Sequence, residues 1–208
     1  HIGTKTSEVM CKYWERELIG LFHCIGKRYL YDRQHVNQVE RLSLLMFDKL
    51  AKHYGMGERE RLLLRGAAIL HDLGKYICKR SHSIYSYQII MATDIIGFSD
   101  RDKKIIALAA YYHANKLFEA GNANAPVIEK DMVAVVAKLA AIIRLADALD
   151  RSYLQKIRQC SVTIKDKIMY VQATSKKDLA LEEWTFTSKA NFFEEVYGLE
   201  AVLERVND

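Results

Sequence analysis

The sequence predicts a mainly α-helical protein with a small ββαβ unit at its C-terminal end, and three observations lead there. Apolar residues recur at three- and four-residue intervals through most of the chain, a single proline interrupts 208 residues, and strict alternation sets in only from Ser161. A composition that is 50% hydrophobic is enough for one sizeable core. The expected division is a helical body over residues 1–158 and a small α+β unit over 159–208.

The first helix is expected from about Lys5 to Tyr29, because Met10, Trp14, Leu18, Leu21, Ile25 and Tyr29 form one stripe. Asp32 is placed to cap the next, which runs to about His53 with Val36, Val39, Leu42, Met46 and Leu50 inward, and Gly55 and Gly57 stop it. A third helix, about Glu60 to Leu73, carries Leu63, Leu64, Ala67 and Ala68. Gly74 is expected to end it in a left-handed conformation. Ser81-His82-Ser83 opens a helix with Tyr85, Ile89, Ala92 and Ile96 inward, closed by Gly97. Another spans about Asp100 to Leu117, and Gly121 to Pro126 is a loop. Asp131 then caps an apolar helix from Met132 to Asp150. Val162, Ile164, Ile168 and Tyr170 alternate about Lys165-Asp166-Lys167 as a hairpin, followed by a helix from about Leu179 to Tyr197, a break at Gly198 and a short strand over Glu200 to Val206.

Several function classes are excluded or disfavoured. The longest apolar stretch, Met132 to Leu145, is broken by Lys138 and Arg144 and is too short for a bilayer. No export signal opens the chain, and Cys11, Cys24, Cys78 and Cys160 are scattered without metal spacing, which suits reduced thiols in a cytoplasm. His1 is not a start residue, so the chain is expected to begin inside a longer polypeptide or after a processed tag. The net charge of +5 gathers around one place: Arg59, Arg61 and Arg65 precede His71-Asp72, and Lys75, Lys79 and Arg80 follow it. That points to a phosphate-bearing ligand, with a solvated basic face as the plain alternative. No aromatic–basic interleaving points to nucleic acid.

His71-Asp72 ends an apolar helical run, where an imidazole and a carboxylate can reach one metal ion. Alone, the pair could equally be a helix terminus with a solvated carboxylate. Other residues converge on the same chemistry. His35 precedes Val39 by four residues and Leu42 by seven, so it lies beside a buried stripe. His82 opens a helix, and His113 continues the stripe of Ile106 and Ala109. Asp147 continues Val136, Leu139 and Ile143, and burying it unpaired would cost several kcal/mol, so it should hold a metal or a cation such as Arg144. Asp150, one turn on, is the rival carboxylate. Nitrogen and carboxylate ligands without cysteine suit iron, manganese or zinc engaged in hydrolysis.

These residues resemble the HD-domain metallophosphohydrolase superfamily, in which a His, a His-Asp pair and a distal Asp recur, here His35, His71-Asp72 and Asp147. More narrowly, His71-Asp72-Leu73-Gly74, His82-Ser83-Ile84-Tyr85, Tyr112-His113 and Leu145-Ala146-Asp147-Ala148-Leu149-Asp150 are similar to the C-terminal HD region of the Ppx/GppA family of exopolyphosphatases and guanosine pentaphosphate phosphohydrolases. The resemblance covers nearly the whole chain, including the terminal unit. It implies an HD-type bundle binding one or two divalent ions through His35, His71, Asp72, His82, His113 and Asp147. It also implies actin-like phosphatase domains upstream, which hold the family's polyphosphate and nucleotide sites. Asn115-Lys116 stands near the place where the family usually carries Arg-Lys.

Two functions follow as expectations. One is a phosphohydrolase acting on phosphate anhydrides or esters of nucleotides or polyphosphate, with Lys75, Lys116 and Arg151 neutralising phosphate oxygens and His71, Asp72 and Lys75 at the reaction. The other is a non-catalytic module of a larger phosphatase that binds polyanions and forms a homodimer.

Overall fold

The structure, a computed structural model, describes residues 2–115 and 123–206, with side chains from residue 9 onward. It is mainly helical, as the periodicity predicts. Helix α1 (Ile2–Arg28) is followed by α2 (Arg33–Leu50), α3 (Glu58–Leu70), α4 (His82–Ala92), α5 (Asp100–Tyr112) and α6 (Val133–Leu149). The chain then forms β1 (Gln159–Lys165), β2 (Ile168–Thr174), α7 (Ala180–Tyr197) and β3 (Glu200–Val206). Among the described residues no helix is long and apolar enough to cross a membrane.

The body is built around α3, α5 and α6, whose inward residues are mostly alanine, leucine and isoleucine and are almost entirely shielded from solvent. Small residues let these helices approach closely. Gly66 shows how closely: a Cβ there would lie 2.8 Å from Ile106 and 3.0 Å from Phe22. Asp32 caps α2 as expected, its Oδ1 accepting from the backbone N–H of His35 at 3.0 Å.

Three local expectations are corrected. Gly74 is not left-handed. It lies in a short 3-10 turn, Leu73–Tyr76, pressed against α4 so tightly that a Cβ would fall 1.9 Å from the carbonyl oxygen of His82. The glycine is there for close approach of backbones. Helix α4 ends at Ala92 and turns Ser83, Ser86, Ile89 and Ile90 inward, leaving Ile96 87% exposed. Its inward serine answers the polar needs of the Gly74 turn, which an apolar periodicity cannot register. Asp131 does not cap α6; it pairs with Arg101, while Met132 begins the helix without a side-chain cap.

The C-terminal strands form one sheet in the order β1-β2-β3, antiparallel between β1 and β2 and parallel between β2 and β3. The parallel pairing requires a crossover, and α7 supplies it. Met169, Val171 and Ala173 of β2 and Phe186 and Phe193 of α7 join the same buried apolar cluster as the helical body. Tyr197 fixes the docking: its hydroxyl donates to Lys138 O at 2.8 Å, and its own carbonyl accepts from Tyr54 at 2.6 Å. Helix α7 packs against α6, which brings its first turns to the rim of the candidate site.

Candidate metal centre

Each predicted ligand within the described residues sits at or near the end of a helix. His35 lies in the first turn of α2, His71 caps the C-terminus of α3 with Asp72 next to it, and His82 begins α4. His113 caps α5, and Asp147 lies in the last turn of α6. Helix C-termini leave backbone carbonyls without partners, and His71 and His113 use them, while His82 finds a carbonyl in the loop before α4. Nδ1 of His71 donates to Ala68 O at 2.7 Å, that of His82 to Lys79 O at 3.1 Å, and that of His113 to Ala110 O at 2.5 Å. A carbonyl can only accept, so Nδ1 carries the proton, and in the neutral ring Nε2 presents its lone pair to the centre.

The facing atoms converge. His35 Nε2 lies 3.0 Å from Asp147 Oδ1 and 3.7 Å from Asp72 Oδ2. His71 Nε2 lies 3.6 Å from both Asp72 Oδ1 and Asp147 Oδ1. His82 Nε2 lies 3.6 Å from Asp72 Oδ1 and 3.3 Å from His113 Nε2. Ligand atoms about 3 to 3.5 Å apart are what bonds of about 2.1 Å at tetrahedral or octahedral angles produce. Two overlapping groups, His35 with His71 and Asp147, and His71 with Asp72 and His113, each keep their donor atoms within 4.8 Å of one another.

Two features test whether a cation belongs here. His71 Nε2 is buried and has no hydrogen-bond partner among the described residues, an expensive condition unless something accepts its lone pair. The Nε2 atoms of His82 and His113 point lone pair to lone pair, which a positive charge between them relieves. The donor set fits a divalent metal.

The electrostatics agree. Burial drives the His113 imidazole down to about 3, helped by His71, and burial also lowers His82, so both are neutral donors near neutral pH. For Asp147, burial alone would raise the carboxyl; hydrogen bonding from the protonated His35 outweighs it and holds the carboxyl well below the usual range. Burial would also lower His35, but hydrogen bonds to Asp147 and Asp150 and the charge of Asp72 outweigh it and raise the imidazole to about 9. Protonated, His35 sets a positive charge against Asp147 and Asp150, as the ammonium of Lys75 does against Asp72.

Asp150 is not the wet carboxylate that its place near a helix end suggests. It is fully buried, accepts from His35 Nδ1 at 2.8 Å, and is held by the backbone N–H and side-chain amide of Gln155 at 2.8 and 2.9 Å. It orients His35 from behind, a carboxylate–histidine arrangement common around metals. Arg144 does not pair with Asp147. Buried and lowered by that burial to about 10, it donates to the carbonyls of Tyr112 and Asn115 and lies 3.9 Å over the ring of Phe192.

Tyr153 carries no signal in the sequence. Its φ of 61° turns the ring back over His35, centroids 3.7 Å apart and nearly parallel, and its hydroxyl donates to Asp72 Oδ2 at 2.6 Å. Lys75 reaches the same carboxylate oxygen at 2.5 Å and also contacts the Tyr153 hydroxyl. The centre opens into a cleft of about 620 Å³ whose rim includes Lys75, Lys79, Arg151 and Lys189. Trp184, Thr185 and Ser188 of α7 also line it, so the C-terminal unit contributes to the cleft. Lys116 lies outside the described residues.

A family model described as Ppx/GppA phosphatase, domain III, matches residues 22–203. The chain belongs to the Ppx/GppA phosphatase family. The match includes every ligand position above and extends through α7 into β3, so the C-terminal unit is part of the Ppx/GppA domain. The histidine–aspartate clusters accord with a metal-dependent hydrolase of this Ppx/GppA family, as the spacing of the residues predicts.

Proposed function

We propose that this domain is a metal-dependent phosphohydrolase that cleaves phosphate anhydrides or esters of nucleotides or polyphosphate in the cytoplasm. The observation that carries the reading is Nε2 of His71, buried and without a hydrogen-bond partner among the described residues, facing Asp72 and Asp147, two carboxylates that line a cleft with a cationic rim. His35, His71, Asp72 and Asp147 would hold one ion of iron, manganese or zinc, and His82 and His113 a second, with Asp72 shared. A divalent ion there supplies a Lewis acid for a phosphoryl oxygen and lowers the pKa of water.

The protein's own groups supply the rest. Asp150 and Tyr153 fix the plane of His35, and the carbonyls of Ala68, Lys79 and Ala110 fix the other three imidazoles. Lys75 and Arg151 stand at the cleft to neutralise phosphate oxygens, the role also proposed for Lys116. In this reading the helical body, 1–158, supplies the ligands, and the small unit, 159–208, closes the opposite side.

The match to a third domain supports a second reading, in which the bundle binds polyanions and forms a homodimer beside actin-like phosphatase domains. Metal analysis and phosphate release from a panel of nucleotides and polyphosphates separate the two. The first reading expects bound metal, turnover of at least one substrate, and loss of both in His71→Ala. A protein that takes up no iron, manganese or zinc, and that none of them stabilises thermally, overturns it.

A further inference from the structure

The cleft is chemically two-ended. Toward the metal ligands its rim is cationic, with Lys75, Lys79, Arg151 and Lys189, and the last three have no carboxylate within ion-pair distance among the described residues. Toward solvent the rim is an indole. Trp184 is 73% exposed, and Leu181, one turn before it on α7, is 46% exposed. Trp184 lines both the cleft and a shallow neighbouring groove along α7, formed with Ala180, Glu183, Thr187 and Ser188. Trp184 therefore borders open space in both.

A bare phosphate chain would use the cationic groups alone and leave the indole without a partner. A nucleoside phosphate uses both ends, with phosphates among the cations and the base against the indole. The volume of about 620 Å³ is of the size that holds a small organic ligand and not a lone phosphate. Base–aromatic stacking tolerates any base, because each has a π-face.

We propose that Trp184 is the stacking platform for the base of a nucleoside polyphosphate whose phosphates lie toward Lys75, so that the cleft selects nucleotides over inorganic polyphosphate. The proposal rests on the phosphohydrolase reading and narrows its substrate class.

The test compares non-hydrolysable imido analogues of a nucleoside triphosphate and of inorganic tripolyphosphate, titrated calorimetrically into the metal-loaded protein. Trp184→Ala should weaken the nucleotide roughly tenfold, Trp184→Phe should restore most of the affinity, and tripolyphosphate should bind all three proteins alike. In a Trp14→Phe background, which leaves Trp184 as the sole tryptophan, the nucleotide analogue should quench the fluorescence and tripolyphosphate should not. Nucleotide affinity unchanged in Trp184→Ala, or an equal loss for both anions, overturns the subsite while leaving the phosphohydrolase reading intact. Binding of neither anion by the wild-type protein overturns that reading and the subsite with it.

Discussion

The guanidinium of Arg144 donates from Nε to the carbonyl oxygen of Tyr112 at 2.8 Å, and its other arm contacts the carbonyl of Asn115. The two carbonyls flank His113, so a buried cation on α6 fixes the end of α5 from which that imidazole projects. Arg144→Met would leave both carbonyls without their donor, and the cost expected is about 1–3 kcal/mol for a buried hydrogen-bonding group left unsatisfied. Urea unfolding measures it. Metal stoichiometry should also fall, because His113 loses its support; unchanged stability together with full metal content would show that the clamp is idle.

Asp147 and Asp150 should separate cleanly in a metal titration. Asp147→Asn removes a carboxylate that faces His35 Nε2 and His71 Nε2, so affinity should fall by orders of magnitude. Asp150→Asn removes only the charge behind His35 Nδ1, for which a loss of roughly 10- to 100-fold is expected. The reverse order would place Asp150, and not Asp147, at the metal.

Gly74→Ala should be among the most damaging single-methyl additions in the protein. The new Cβ would sit 1.9 Å from one backbone atom of α4 and 2.6 Å from another, so the turn after Asp72 or the start of α4 must move. A loss of about 3 kcal/mol is expected by thermal or urea unfolding. Gly20→Ala, where a Cβ meets nothing within 4 Å, serves as the control and should be neutral or stabilising by up to about 1 kcal/mol.

Glu182 makes part of the stability depend on acid. Burial alone would raise its carboxyl, but hydrogen bonding with Ser152 and the ammonium of Lys156 holds it below its ordinary 4.5. A group with a depressed folded-state pKa stabilises fully above the unfolded value, and that contribution is lost as pH falls through the folded one. The melting temperature of wild type should therefore exceed that of Glu182→Gln by a constant margin above about pH 5, and the margin should shrink below about pH 4.5. A margin independent of pH down to acid unfolding would mean that Glu182 acts by packing alone.

Much of the candidate centre is legible because its proposed ligands obey helix arithmetic. His35, His113 and Asp147 each continue an apolar stripe at four or seven residues, and His71-Asp72 ends one, so period alone places them inward. What period could not supply is the support around them. Arg144 is satisfied by two main-chain carbonyls, groups that every residue carries and no residue type announces. Tyr153 reaches His35 only because its backbone takes a left-handed turn that a tyrosine seldom adopts. Asp150 lies three residues from Asp147, and the choice between facing a metal and backing a histidine depends on how α6 ends. Gly74 is not the left-handed helix stop that its place after His71-Asp72 suggests, since its steric closeness to α4 leaves no trace in a left-handed propensity.

The contacts of His35 with Asp147 and Asp150 join residues 112 and 115 positions apart. Closing so long a segment is entropically slow, and these contacts form only after α2 and α6 have docked. An ion held by them would have little to grip while the chain is still collapsing, so its binding is expected after the rate-limiting crossing of the folding reaction. Loading the centre should leave the rate of refolding nearly unchanged and lengthen the lifetime of the native state against unfolding.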